Sequence, residues 1–167
     1  MRRIVSPVGS TLYPDGMAVS AQTPAHPFTE AEAAAWVGFL RSHATLVREL
    51  DATLSEAHGM PLSSYEVLLR LSREPEGRQR MSDLADSVWL SRSGITRLID
   101  RLERDGLVER RACASDARGS FAVITDEGRR RLDAARATHV ADVRERFLSR
   151  FDRDEQAQLA EFWSRLG

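Results

Sequence analysis

The sequence predicts a mainly α-helical chain broken once by a small antiparallel β-hairpin. Three observations carry this. Apolar residues recur at helical spacing, as at Ile95, Leu98, Ile99 and Leu102. Two short runs of apolar residues and β-formers, 107–111 (LVERR) and 120–124 (SFAVI), flank a loop of small residues. Helix-start signals of the form Thr/Ser/Asp-x-x-Glu stand ahead of apolar runs at Thr29, Ser63 and Asp152.

Composition bounds the answer. A chain of 167 residues, 42% hydrophobic and 29% charged, fits one compact soluble domain with a core. The net charge is −1, but it is uneven. Residues 70–131 hold 14 Arg against 11 acids and the remainder 10 Arg against 14, so a mildly basic lobe joins an acidic body. Every one of the 24 basic residues is Arg, which excludes Schiff-base chemistry and the lysine of a phosphate-binding P-loop. A single cysteine, Cys113, forms no internal disulfide and fits a reducing cytoplasm. No apolar run is long enough to span a membrane, and none of signal-peptide length follows Arg2-Arg3.

Residues 1–28 carry Pro7, Pro14, Pro24 and Pro27 with Gly9 and Gly16, show no period, and read as a flexible arm. Met17 would make a natural start. Residues 1–16 are then either a mis-assigned start or cloning feature, or an arm that adds to a dimer interface or touches DNA.

Thr29 and Glu32 form a capping box for the first helix. Trp36, Phe39, Leu40, His43, Leu46, Val47, Leu50 and Leu54 mark one face of it over about six turns, more than a small core helix needs, so the face is expected to pack on a partner. His43 is the odd member. It reads either as a half-buried core histidine with one satisfied hydrogen bond, or as a polar group in an effector pocket with Trp36 and Phe39, which Arg41 would also line.

The second helix is expected to start with a Ser63–Glu66 capping box and a Leu62–Val67 staple, to bury Val67, Leu68 and Leu71, and to end at Glu74-Pro75. Residues 79–81 form a possible strand stub, and Arg78 and Arg80 meet either phosphate or solvent.

Ser82 reads as the cap of a short helix with Leu84, Ala85 and Val88 inward. Trp89 and Leu90 break the period, Ser91 caps the next helix, and Gly106 stands where a left-handed residue ends it. The face opposite the Ile95–Leu102 stripe carries Arg92, Ser93, Thr96, Arg97, Asp100, Arg101 and Arg104. Two such helices joined by a tight turn make a helix–turn–helix, whose second helix lies in the major groove of DNA. Ser, Thr and Arg reach phosphates and base edges there, although a charged outer face is equally a solvated one.

The hairpin behind that helix reads as a wing. Its loop, 112–119 (ACASDARG), presents Arg118, suited to the negative potential of a narrow minor groove, with Asp116 placed to orient it or to form only a surface ion pair.

From 62 to 128 the chain resembles the multiple antibiotic resistance regulator (MarR) family of winged-helix repressors. The resemblance rests on LADSVWLSRSGITRLIDRLERDGLVER, the wing SDARG and the step ITDEG at 124–128. It implies a winged helix–turn–helix lobe at 62–124, and a helical dimerisation region from both chain ends, 29–61 and 125–167. It further implies a homodimer on a pseudo-palindromic double-stranded DNA operator and often a small-molecule effector that changes the spacing of the two lobes. The DNA contacts expected are Ser82, Ser91, Arg92, Ser93, Thr96, Arg97 and Arg101 from the helices, and Asp116 and Arg118 from the wing.

Thr125 is expected to cap a long helix reaching about Leu148, with Arg129, Arg130 and Arg131 screening Asp126 and Glu127 rather than meeting DNA. Asp152 and Glu155 cap a last helix. Aromatic residues this near a terminus need burial, so Leu40, Phe147, Phe151, Leu159, Phe162 and Trp163 are expected at the dimer interface.

The four histidines are scattered and there is one cysteine, so no metal centre or other cofactor is expected, and no nucleophile elbow points to an enzyme. Two rivals remain. One is a helical dimer that uses its winged helix to bind protein. The other is a redox switch at Cys113, where nearby Arg110, Arg111 and Arg118 would favour a thiolate. Family members that sense oxidants typically do so near the start of the first helix, where this chain has no cysteine. A small strand-end residue is the plainer role for Cys113.

Overall fold

The computed structural model describes residues 28–87, 92–113 and 116–166. Its elements run α1 (Glu30–His58), α2 (Leu62–Arg73), β1 (Arg78–Arg80), α3 (Met81–Ser87), α4 (Arg92–Arg104), β2 (Val108–Cys113), β3 (Asp116–Ile124), α5 (Asp126–Arg146) and α6 (Arg153–Ser164). One antiparallel sheet has the order β1-β3-β2, with Arg80 opposite Phe121 and Val108 opposite Ile124. The sheet, α2, α3, α4 and the first turns of α5 enclose one core, in which Tyr65, Leu68, Leu71, Leu84, Ile95, Ile99, Leu102 and Leu132 are buried.

Local signals act where the sequence places them. Both halves of the Thr29–Glu32 and Asp152–Glu155 capping boxes are formed. Glu74 is extended (ψ 151°) before Pro75, which ends α2. Gly106 is left-handed (φ 71°), its N–H donates to the Glu103 carbonyl at 3.0 Å, and that of Leu107 to Leu102 at 2.8 Å. This Schellman closure stops α4 and turns the chain directly into β2. The hydroxyl of Thr125 accepts from the Gly128 N–H at 3.0 Å and donates to the Gly106 carbonyl at 2.7 Å, so one side chain starts α5 and ties it to the end of α4.

Four expectations need correction. The Ser63–Glu66 box does not form. Helix α2 starts at Leu62, Pro61 is its N-cap with no side-chain bond, and the Leu62 N–H is taken at 2.8 Å by the Asp51 carboxylate of α1. A partner 11 residues away in sequence displaced the local cap. Helix α3 starts at Met81, so Ser82 lies in its first turn and its hydroxyl donates to Asp83 at 2.9 Å. The wing strands run past the expected loop boundaries, to Cys113 and from Asp116, with a register irregularity between Ala112 and Cys113. Small residues rank low as strand formers, but each added rung pairs backbone groups that a loop would leave to water. His43 is exposed, not half-buried.

Helix α1 is 29 residues long, and Leu54, near its end, is its buried residue. Its earlier turns pack on nothing comparable: Trp36, Val37, Phe39, Leu40 and Val47 are between 42% and 52% exposed, and Phe162 and Trp163 of α6 are 47% and 45% exposed. Among the described residues no helix is long and apolar enough to cross a membrane.

Candidate nucleic-acid interface

Helix α4 is anchored by its apolar stripe: Ile95, Leu98, Ile99 and Leu102 are all buried. The period then turns Ser93, Thr96 and Arg97 to the surface, where all three are exposed. Arg97 has no carboxylate partner among the described residues. Arg101 behaves differently. It is half-buried and its guanidinium donates to the Ser64 hydroxyl of α2 at 3.2 Å, so it points toward the body of the lobe. Ser91 lies outside the described residues, as do Val88, Trp89, Leu90 and the side chains of Arg92, Cys113, Asp116 and Arg118. The arm at 1–27 also lies outside them.

A residue that the sequence reading named only as a neighbour of Cys113 holds this face in place. Arg110 of β2 reaches back to α4, donating to Asp100 Oδ1 at 2.5 Å, Glu103 Oε2 at 2.8 Å and the Thr96 carbonyl at 3.3 Å. Its own N–H donates to Glu103 Oε1 at 3.2 Å. The wing is thereby clamped to the recognition helix beside Thr96. The signal was present in the sequence, since Asp100 and Glu103 are one turn apart and an Arg follows on the next strand.

On the outer strands, Arg78 and Arg80 sit over the Phe121 ring, 5.1 and 5.4 Å from its centroid, and Arg78 pairs with Glu76 at 2.9 Å. Arg111 pairs with Glu109. Arg130 pairs with Glu127, and Arg131 donates to the His58 carbonyl at 2.8 Å, so α5 directs these two arginines to the protein.

The aromatic residues expected in an effector pocket and those expected at a dimer interface meet on one surface. Phe39 and His43 of α1, Phe147 and Phe151 beyond α5, and Leu159 and Trp163 of α6 line an open apolar cleft of 390 Å³. Phe39 packs on Trp163 at 5.5 Å and Phe147 on Phe151 at 5.3 Å, ring centre to ring centre. Trp36 adjoins the cleft through Phe39 at 6.0 Å. Leu40 and Phe162 are exposed on the same two helices.

Behind this surface, α5 meets α1 and α2 through a polar seam. Arg146 binds the buried Asp142 and donates to Glu49 at 2.8 Å, and His139 stacks on Tyr65 at 4.4 Å. Burial pushes the His139 imidazole below its usual pKa, partly offset by Asp142. Burial pushes the Glu66 carboxyl and the Tyr65 phenol up, the first partly offset by His43 and the second by Arg136.

An exposed Ser/Thr/Arg helix face, braced on a buried stripe and clamped to a β-wing, defines a winged helix–turn–helix DNA-binding regulator. Residues 58–119 match the MarR family model. The chain is 30% identical over 110 residues to the HTH-type transcriptional regulator MhqR of Bacillus subtilis, which spans 66% of this chain and 74% of that one. Its fold is similar to Sco3205, a MarR family transcriptional regulator of Streptomyces coelicolor solved in complex with DNA, with TM-score 0.80, 33% identity, and 85% and 89% of the two chains covered. AbsC, a second MarR family regulator of that organism, gives TM-score 0.79 and 32% identity over 85% and 95% of the chains. The protein belongs to the MarR family of transcriptional regulators. All three relatives are described as transcriptional regulators.

Proposed function

We propose that the protein is a homodimeric repressor that binds a pseudo-palindromic duplex and responds to a small effector. The observation that carries the reading is the outward face of α4: Ser93, Thr96 and Arg97 exposed together on a helix that Arg110 holds against the wing. Ser82, Ser91 and Arg92 extend this face toward base edges and phosphates, with Arg101 in second rank. Arg118, oriented by Asp116, enters the minor groove. The lobe is residues 62–124. Residues 29–61 and 125–167 pair two copies so that the recognition helices enter successive major grooves about one helical turn apart.

The apolar cleft supports the pairing. Monomeric proteins rarely leave a contiguous aromatic face of this kind open to water. We assign the face to the second copy, which places Trp36, Phe39 and His43 at the interface with Leu40, Phe147, Phe151, Leu159, Phe162 and Trp163.

Anisotropy titration against the gene's own upstream duplex and a scrambled one, at two salt concentrations, tests the reading. Sequence-dependent binding that weakens steeply with salt supports it, because each neutralised phosphate contributes about −0.9 to the log–log slope. Arg118→Ala should weaken operator binding by ~1–3 kcal/mol. Equal, salt-insensitive binding to both duplexes overturns it in favour of a protein-interaction module.

A further inference from the structure

We infer that the outer face of the three-stranded sheet, centred on Arg78 and Arg80 of β1 over the Phe121 ring, is a second DNA contact. It grips the phosphate backbone on the far side of the minor groove, outside the bases that α4 meets. The inference deepens the proposed function and rests on that reading.

The two faces of the sheet differ. Cross-strand partners share a face, and successive residues alternate between faces. Ala122 and Ile124 of β3 belong to the core, and Arg110, opposite Ala122, reaches α4. Phe121 therefore lies on the other face with its partners Arg80 and Arg111, and Arg78, opposite Val123, stands beside them. On the inner face Arg110 is held by two carboxylates. On the outer face Arg78 meets only Glu76, at 2.9 Å, and Arg111 meets Glu109. Those glutamate side chains are 69% and 47% exposed, and exposed pairs are weak and screened, so a phosphate can take their place.

The ring orients the cations. The guanidiniums of Arg78 and Arg80 lie over Phe121, 5.1 and 5.4 Å from its centroid. Stacking occupies the flat side of a guanidinium and leaves its N–H edge in plane, the geometry that holds phosphate oxygens in pairs. Two like charges gathered on one ring repel, and an anion bound between them relieves the repulsion.

Position selects the occupant. Phe121 stands three residues along β3 from Arg118, roughly 10 Å at the rise of a strand. With the wing in a minor groove, one phosphate ridge runs between the wing and α4. The other runs past the wing on the side away from α4, which is the side of Arg78, Arg80 and Phe121. A backbone contact there carries no sequence information and adds to affinity and salt dependence.

Anisotropy titration of an Arg78→Gln/Arg80→Gln protein against the upstream and scrambled duplexes, over a series of salt concentrations, tests this. The log–log salt slope should fall by about 1–2, and affinity for both duplexes should drop by a similar factor. Trimming the upstream duplex stepwise from both ends should cost wild type a loss of affinity that the variant does not show. Arg78→Lys/Arg80→Lys keeps both charges and should keep the slope. An unchanged slope in the Gln variant overturns the contact, as does a loss on the upstream duplex alone or a trimming profile equal to that of wild type. A slope lost equally in the Lys variant marks a structural effect and overturns it too. Wild type that binds neither duplex overturns the proposed function and this contact with it. Wild-type binding with an unaltered Gln variant overturns the contact alone.

Discussion

Replacing Arg110 with methionine keeps much of the side chain's length and removes its charge and donors, which makes it a measure of the wing-to-helix clamp. Three side-chain bonds are lost: to Asp100 at 2.5 Å, to Glu103 at 2.8 Å and to the Thr96 carbonyl at 3.3 Å. The arginine side chain is 29% exposed and its acidic partners 48% and 40%, so solvent screens the pairs substantially. Exposed pairs contribute ~0.2–1 kcal/mol each. The carbonyl bond adds about 0.5–1 kcal/mol. Asp100 and Glu103, left one turn apart on α4, repel by ~0.2–0.5 kcal/mol. Together the substitution should cost about 1–3.5 kcal/mol. That corresponds to a fall in Tm of roughly 2–14 °C for a protein of this size. Thermal melting followed by circular dichroism reads this. A double-mutant cycle with Asp100→Asn isolates the pair, where a coupling of about 0.5 kcal/mol or more is expected for groups in contact. Operator affinity should fall further than stability alone accounts for, because α4 loses its brace beside Thr96. An unchanged Tm, strict additivity with Asp100→Asn, or operator affinity equal to wild type would refute the clamp.

Gly128→Ala would place a Cβ 2.2 Å from the Leu107 carbonyl oxygen and 2.9 Å from Ile124 Cγ1. Backbone cannot easily yield, so urea denaturation should show a loss of about 1–3 kcal/mol or more. Thr125→Ala removes the cap of α5 and its bond to Gly106, and should cost ~1–2 kcal/mol by the same measurement. His139 is held below its usual pKa by burial, so the folded state favours the neutral ring. The unfolded chain takes up the proton first, near ~6.5, so this contribution is intact above that pH and is lost as pH falls. Wild-type Tm should therefore drop more between neutral and mildly acidic pH than that of His139→Phe, and parallel curves would refute the assignment. Trp163→Asp puts a charge into the apolar face, and sedimentation velocity should show wild type sedimenting as a dimer and the variant as a monomer.

The sequence by itself determined the elements whose causes lie within three or four residues. The caps at Thr29, Thr125 and Asp152, the stripe of α4 and the left-handed stop at Gly106 each rest on neighbours along the chain, and the structure contains all of them. The outward set Ser93, Thr96 and Arg97 follows from that stripe by helical geometry alone, which is why the candidate interface could be read before the fold was known. Tertiary structure decided which polar group answers which. Asp51 took the N-terminus of α2 from Ser63, Arg110 crossed from the wing to α4, and Arg101 turned from the surface toward Ser64. It also decided that Phe39 and His43, assigned to an effector pocket, and Phe147, Phe151, Leu159 and Trp163, assigned to an interface, line one cleft. Each of these joins segments that only the packed core brings together. A buried or half-buried polar group binds the best partner within reach, and reach is set by the fold and not by distance along the chain.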